Sequence, residues 1–550
     1  MTMAARPSFH DIVAGLSPAR GWRAVRHLVY GTPLYELTLK GRVPDKLRGT
    51  PPDPWPGDPA VGAAIVKGQL AIAGTSVSLA GNPWTRKPES GEAAAALHAF
   101  AWLADLKTLG SEAAGKRARK LVNGWIKTHS RWSALAWRPD VLGERLGHWF
   151  CSHDFLCLDD DPAFQARFLS SAATQARHLQ RVCAKVEKDA GAFAAIKGLI
   201  YSGICLPGCE KAIDTGLKLL GQEIARQILP DGGHFQRCPS LHLSVLAHLL
   251  DLRGTLVAAK LEVPDSWQRA IDTMAPMLRS FRLGDGGLAL FNGGNEEDAR
   301  HIDAVLGRAG VRGKALLSAP HSGFQRLAAG RTVIIADTGA PPAASFLAHA
   351  GTLSFEMSVG KERLIVNCGA LGDSDPAWRF ATRATAAHST LTVDGASSSE
   401  VRADAHIGRR PADVASNRRE ADGNIWLEAR HDGYPGLVHH RRLYLDACGE
   451  DVRGEDILAG SGGREFTLRF HLHPLIGVSL TEGGSAVLLR LPSGVGWRFL
   501  ADGGAIGLEE SIYAGLPNTL RRCSQIVVSG PLNGTRTTVK WALHREGGRR

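Results

Sequence analysis

Nine cysteines, an odd number, are scattered through this 550-residue chain with no repeated C-x-x-C pair. A zinc knuckle needs two such pairs, so the nearest couple, Cys205 and Cys209, reads as thiols beside the Pro207-Gly208 turn. Free buried thiols suit a reducing compartment. No apolar run of 18 residues is present, which argues against an integral membrane segment. The first thirty residues carry Arg6, Asp11, Arg20, Arg23 and Arg26, and lack the unbroken apolar stretch of a classical signal peptide. A cytoplasmic or non-classically exported protein is expected. Neither glycine turn, Gly232-Gly233 or Gly284–Gly287, is followed by Gly-Lys-Ser/Thr, so a phosphate loop is excluded. No basic stripe interleaved with aromatics appears, and nucleic acid is not an expected partner.

What is present sets the class. The length requires two or three domains. The formal net charge of +11 favours an acidic partner, or reflects an Arg-rich background. Residues 1–90 form a lead-in, with PPDPWPGDP at 51–59 incompatible with regular helix. Residues 91–310 are helical by period. Ala93–Leu109 reads as one helix, and Glu112–Thr128 spaces Ala118, Leu121, Val122, Trp125 and Ile126 on one face. Further helices are predicted at 138–158, 162–187, 190–203, 211–229, 240–259, 264–282 and 296–309, separated by Pro and Gly breakers. Paired helices with short connections predict a stacked or toroidal all-α domain. From 311 to 550 short β-rich segments take over, among them Thr332–Ala336, Leu353–Val359, Arg363–Val366 and Phe466–His473, which predicts an antiparallel β-sandwich.

Candidate functional residues sit at the breakers and strand ends. In LPDGGHFQRCPS, two glycines present His234 and Arg237, an imidazole beside a cation, suited to proton transfer and carboxylate binding. Asn292, in the turn after the second glycine cluster, reads as a cleft residue or an ordinary Asn-Gly turn. Arg145, Trp149 and His153 fall one helical turn apart, either stacking and holding an acidic sugar or packing on a neighbouring helix. Arg469, His471 and His473 alternate onto one strand face, with Tyr434 and the pair His439-His440 nearby. His349 is predicted at the start of a strand. With Asn367 and His388 it makes a ligand set for one divalent metal, zinc by its imidazoles, although an amide is a poorer ligand than a carboxylate.

The strings LAHAGTLSFEMSVGKERLIVNCG, AAHSTLTVDG, HDGY and RFHLHP, with LPDGGHFQR and GDGGLALFNG upstream, resemble the heparinase II/III family of polysaccharide lyases. The resemblance implies a multidomain α + β fold: an incomplete N-terminal (α/α) toroid followed by a C-terminal antiparallel β-sandwich, with an active cleft between them. It also implies β-elimination at a 4-linked uronic acid, in which the C6 carboxylate is neutralised, a base takes the C5 proton and an acid protonates the departing O4. In such members Tyr and His handle protons, while Asn or His and Arg neutralise the acid group. His234, Arg237, His349 and His388 are the catalytic candidates on this reading. Arg145, Trp149, His153, Asn292, Tyr434, His471 and His473 would contact the substrate, an acidic polysaccharide or oligosaccharide.

The chain also departs from the family pattern. His-Ala-His-Ala-Asp is represented by Leu347-Ala-His349-Ala-Gly351, the ligand Asp by Asn367, and the tyrosine after the DGGH turn by Leu241, with His242 beside it. Tyrosine is scarce, with six in the chain, and Tyr434 alone falls inside the matching motifs. The alternative is therefore a catalytically degenerate glycan-binding or envelope-polysaccharide biogenesis protein of the same fold. A toroidal glycoside hydrolase would need two carboxylates across a cleft, where these motifs are rich in His and Arg.

Overall fold

The computed structural model describes residues 25–53, 55–86, 91–158, 161–186, 189–372, 376–404 and 406–547. The chain divides into two compact units, one built from most of the sequence up to Leu220 and the other mainly from Gly221 onward. Most of the lead-in's first residues, 1–24, lie outside the described residues.

The first unit is helical. Glu112–Thr128 begins where the Ser111 hydroxyl caps the Ala114 N–H, and it buries Ala118, Leu121, Val122, Trp125 and Ile126 as its period predicts. Pro162–Val182 packs on it, Pro139–Cys151 meets it through Trp149 and Arg145 against Trp125, and Gly191–Cys205 lies against these two helices. The single helix expected over Ala93–Leu109 is instead two, Gly91–Ala99 and Leu103–Leu109. The break falls at Phe100, whose φ is +64°, and its physical reason is aromatic. Phe100 and Trp102, two residues apart, both enter the core and lie with ring centroids 4.8 Å apart. A continuous helix would turn one of them outward.

The second unit begins with the helices Pro239–Ala258, Asp265–Ser280 and Ala299–Ala309. Pro239–Ala258 is the one described helix long and apolar enough to cross a membrane, and 61% of that apolar window is buried within the protein.

Two antiparallel sheets follow. The strands are β1 (Ser318–Ala319), β2 (Phe324–Ala329), β3 (Thr332–Asp337), β4 (Phe355–Val359), β5 (Glu362–Val366), β6 (Leu391–Val393), β7 (Val414–Ala421), β8 (Asn424–Tyr434) and β9 (Leu437–Leu445). Then come β10 (Asp451–Gly460), β11 (Glu465–Leu472), β12 (Gly477–Leu480), β13 (Ala486–Arg490), β14 (Gly496–Asp502), β15 (Ala505–Leu516), β16 (Thr519–Pro531) and β17 (Arg536–Arg545). One sheet has the order β15-β16-β11-β5-β4-β3-β2-β1, with β6 also paired to β11. The other runs β12-β13-β14-β17-β10-β9-β8-β7. Their inner faces share one core that includes Ile334, Phe355, Leu427, Leu443, Phe470, Phe499 and Trp541.

One irregularity positions the signature residues. The first half of β11 pairs with β6 (Phe466 opposite Val393), and its end pairs with β5 (His471 opposite Val366). The ladder forks there. Asn367, leaving β5, and His388-Ser389, entering β6, lie where backbone groups have lost a regular strand partner. The expectation that His349 opens a strand is corrected: it lies in the irregular segment between β3 and β4, ahead of Leu353 at φ +66°.

Candidate functional site

The glycine turn folds as the sequence suggests, and then spends its polar side chains on the protein itself. Leu229 N–H bonds Gly233 O at 2.8 Å, and Gly232 takes φ +83° against the Thr273 backbone, where a Cβ would not fit. His234 is 1% exposed. Its Nδ1 accepts from Gln236 N–H at 3.3 Å, so Nε2–H is the donor to Gln227 Oε1 at 2.8 Å. Burial, then the neighbouring His242, lowers its pKa to about 3, and the ring is neutral.

Arg237, at φ +57°, is saturated. Nε donates to Ser322 O at 2.7 Å, Nη1 to Gly339 O and Ala340 O at 3.2 and 2.9 Å, and Nη2 to Gly323 O at 3.2 Å and to the Asp337 carboxylate. A guanidinium has five N–H donors, and these five acceptors use them all. Its plane also lies over Phe324. Asn292, at φ +48°, ties the turn to the signature loop: Nδ2 donates to Arg237 O and Oδ1 accepts from His349 N–H, both at 3.0 Å.

At the fork, Asn367 replaces missing ladder bonds. Its Oδ1 accepts from Ser389 N–H at 3.0 Å and its Nδ2 donates to Leu290 O at 3.1 Å. Ser389 Oγ–H donates to Val366 O and accepts from His471 N–H. Beneath them, the fully buried Glu356 accepts from Asn367 N–H at 2.7 Å and Leu290 N–H at 3.0 Å. Desolvation raises its pKa to about 7, against the opposing pull of Arg363.

His388 donates through Nδ1–H to Ala384 O at 2.8 Å, so its Nε2 accepts from His349 Nδ1–H at 3.1 Å. Burial lowers both pKa values, that of His388 to about 4 and that of His349 well below the usual imidazole range. His471 is likewise enclosed: Nε2–H donates to Ala386 O at 3.0 Å, and Nδ1 meets Ser511 Oγ at 2.7 Å and Cys368 Sγ at 3.5 Å. Tyr434, 2% exposed, donates to Leu391 O at 2.5 Å.

The metal expectation can be weighed on these contacts. Coordination needs lone pairs from His349, Asn367 and His388 at one point. The Asn367 oxygen spends one of its two lone pairs on Ser389 N–H, both His388 nitrogens are in hydrogen bonds, and His349 Nε2 is the acceptor nitrogen outside those bonds. Among the described residues no group of three or more His, Cys, Asp and Glu side chains is placed to hold a metal ion. These residues do not fit a resident divalent ion. Gly351, where the resemblance implies an aspartate, is tightly packed. A Cβ on Gly351 would lie 2.8 Å from the His388 ring, so the imidazole occupies the space that a side chain would need. Gly351→Asp is expected to displace His388 and destabilise the unit by about 1–3 kcal/mol, read as a lower melting temperature. An unchanged melting temperature would count against this packing account.

The remaining candidates separate. His473 lies past the end of β11, half-buried with its ring edge-on to Tyr513, so it does not continue the strand face expected for Arg469 and His471. It lines a cavity of about 370 Å³ with Asp285, Glu296, Arg363 and Arg521. In the helical unit, Arg145 and Trp149 are both 0% exposed. Arg145 donates to Gln175 Oε1 and His98 O and stacks on Trp125. The stripe faces the helical core, so these two present no surface to a sugar, and only His153 is partly accessible.

Sequence reasoning missed one polar centre. Asp456 on β10 accepts from His439 Nε2–H at 2.7 Å, Arg441 Nε–H at 2.8 Å and Trp541 Nε1–H at 2.9 Å, all buried. Arg441 also reaches Leu353 O and Ser389 O, and so braces the fork. The alternation of His439 and Arg441 on β9 was the available signal. Their common acid lies on the next strand.

Comparison with known proteins agrees with this architecture. Residues 83–309 match the family described as Heparinase II/III N-terminus, and residues 311–542 match Heparinase II/III-like, C-terminal. The chain is 33% identical to FtsZ-localized protein C of Caulobacter vibrioides, over 96% of each chain. It is 24% identical to Heparin-sulfate lyase of Pedobacter heparinus over 31% of this chain and 29% of the relative. A crystal structure of heparinase III superposes with TM-score 0.75 at 14% identity, covering 97% of this chain and 91% of that one, and so has the same toroid-plus-sandwich fold. The chain belongs to the heparinase II/III family.

Proposed function

We propose that this protein is a polysaccharide lyase-like protein of the cell envelope that binds an acidic, uronate-containing glycan without cleaving it. The observation that carries this reading is the saturation of Arg237. A group that neutralises a substrate carboxylate needs donors to spare, and all five of its donors are engaged by Asp337 and four carbonyls. The proton-transfer candidates point the same way. His234 has both ring nitrogens hydrogen-bonded and is neutral, and Leu241 stands where the family places a tyrosine. The formal charge of +11 supports an acidic ligand. The Caulobacter relative is named for its localisation with FtsZ rather than for glycan digestion, which supports a non-degradative role.

An active lyase is the second reading, favoured by the sequence likeness to Heparin-sulfate lyase and by the acceptor nitrogen left at His349 Nε2. Binding measurements on immobilised uronate glycans test the proposal. The native protein is expected to bind at least one saturably, and His234→Gln to keep that affinity within about twofold. Failure to bind any acidic glycan would contradict it.

A further inference from the structure

The cavity of about 370 Å³ beside His473 is walled entirely by the second unit and holds three basic and three acidic side chains. Part of that charge is spent inside the protein. Asp285 forks the Arg363 guanidinium at 2.7 and 3.3 Å, and a further Arg363 donor goes to Leu288 O at 2.9 Å. Glu362 accepts the N–H and the hydroxyl of Ser493 at 2.7 and 2.6 Å.

The rest is unspent, and it has both signs. Glu296 takes the Tyr513 hydroxyl on Oε1 at 2.5 Å, while its Oε2 has no partner among the described residues. The side chains of Arg521 and Lys361 are exposed, and among the described residues they make no hydrogen bond or ion pair. Arg521 stands opposite Tyr513 in the β15–β16 pair, so strand register brings a free cation beside the tyrosine that holds the free carboxylate. His473 adds a neutral donor: its Nδ1 accepts from Leu475 N–H at 3.4 Å, which leaves the proton on Nε2. Leu475 and Leu516, 57% and 49% exposed, line the same cavity and give it an apolar lip.

These unspent groups select a ligand by charge. A simple anion would meet the carboxylates of Glu296 and Glu362, and a simple cation would meet Arg521 and Lys361. A zwitterion finds an opposite charge at each end. The volume lies in the range of small-ligand pockets, roughly 300–1,000 Å³, and an aliphatic side chain gains by leaving water for the leucine lip.

We infer that this cavity binds a free apolar α-amino acid, with its ammonium on Glu296 Oε2, its carboxylate on Arg521 and Lys361, and its side chain against Leu475 and Leu516.

Calorimetric titration of the full-length protein with L-leucine, N-acetyl-L-leucine and L-leucinamide tests it. L-Leucine is expected to bind saturably. Acetylation removes the ammonium charge and amidation removes the carboxylate, and each should weaken binding by about tenfold, the order of one lost charge-assisted contact. Glycine, which lacks the side chain, should also bind more weakly than leucine. Glu296→Gln keeps an acceptor for the Tyr513 hydroxyl and loses only the charge. It is expected to weaken leucine binding by about tenfold with the melting temperature unchanged, and Arg521→Gln, at an exposed position, should do the same. The site is overturned if leucine does not bind at concentrations up to about 10 mM. It is equally overturned if both blocked forms bind as well as leucine, or if neither variant alters leucine affinity.

Discussion

Arg237→Ala is expected to lower the free energy of unfolding by about 3–5 kcal/mol, the usual cost of removing one partner of a buried ion pair. Arg237 and Asp337 are 6% and 3% exposed, so the carboxylate left behind has little access to water. Four carbonyls, of Ser322, Gly323, Gly339 and Ala340, lose their donor as well. Arg237→Lys should recover only part of the loss, because an ammonium offers three donors to five acceptors and no planar fork. A double-mutant cycle with Asp337→Ala is expected to show strong coupling, since the second change removes the stranded charge. A residue waiting for a substrate carboxylate would behave differently: its replacement would leave chemical and thermal denaturation nearly unchanged. Denaturant titration of the two Arg237 variants, Asp337→Ala and the double mutant decides between these outcomes.

Acidification is the second large effect. His98, His234 and His471 are held to pKa values of about 3, and His178, His242 and His388 to about 4, all chiefly by burial. In the unfolded chain each titrates near 6.5. A group whose folded pKa is depressed contributes stability that is complete above its unfolded value and is lost as pH falls toward the folded one. Stability should therefore begin to decline below about pH 6.5 and continue to fall toward pH 4, by on the order of 2 kcal/mol per histidine at pH 5. Two or three such groups rival the whole stability of an ordinary domain.

Glu356 acts in the opposite sense. Its folded pKa is raised to about 7, so its contribution is complete below about 4.5 and lost as pH rises through 7. One carboxyl against six histidines leaves the net trend unchanged. Melting temperatures should drop steeply between pH 7 and pH 5 in both units. A flat profile over that interval would mean that these imidazoles are not neutral in the native protein.

The helical half was legible because its signal is local. Glu112–Thr128 carries its cap, its period and its buried face within seventeen residues. The Phe100 break was not legible, since the gain from burying two neighbouring rings depends on Trp84 and Trp149, distant in sequence. Among the strands, those with apolar alternation could be found, and those serving other needs could not. β7 is an edge strand with little buried on either face, and β10 carries Gly454 beneath Trp541 and Asp456 inside the core. Neither reads as a strand from composition.

The candidate site was legible as a set of residue types and illegible as a set of roles. His234, Arg237, Asn292, His349, Asn367 and His388 belong to connected hydrogen-bond networks of one unit, as their shared motifs suggested. What the sequence cannot display is whether donors and acceptors are already matched. Arg237 meets its carboxylate one hundred residues later, and Asn367 finds its partners at a fork created by strand pairing. Arg145 and Trp149 illustrate the same limit. An amphipathic stripe specifies that a face is covered, and the cover here is the helical core rather than a sugar.

The central claim is that the signature side chains hold the fold and no longer carry out β-elimination. It is tested most directly by incubating the purified protein with heparan sulfate, hyaluronan, polygalacturonate and alginate while following ultraviolet absorbance for the conjugated enoate of an unsaturated uronate. The account predicts a flat trace with every glycan, including those the protein binds. A rising trace with any one of them, abolished by His349→Ala, would contradict it.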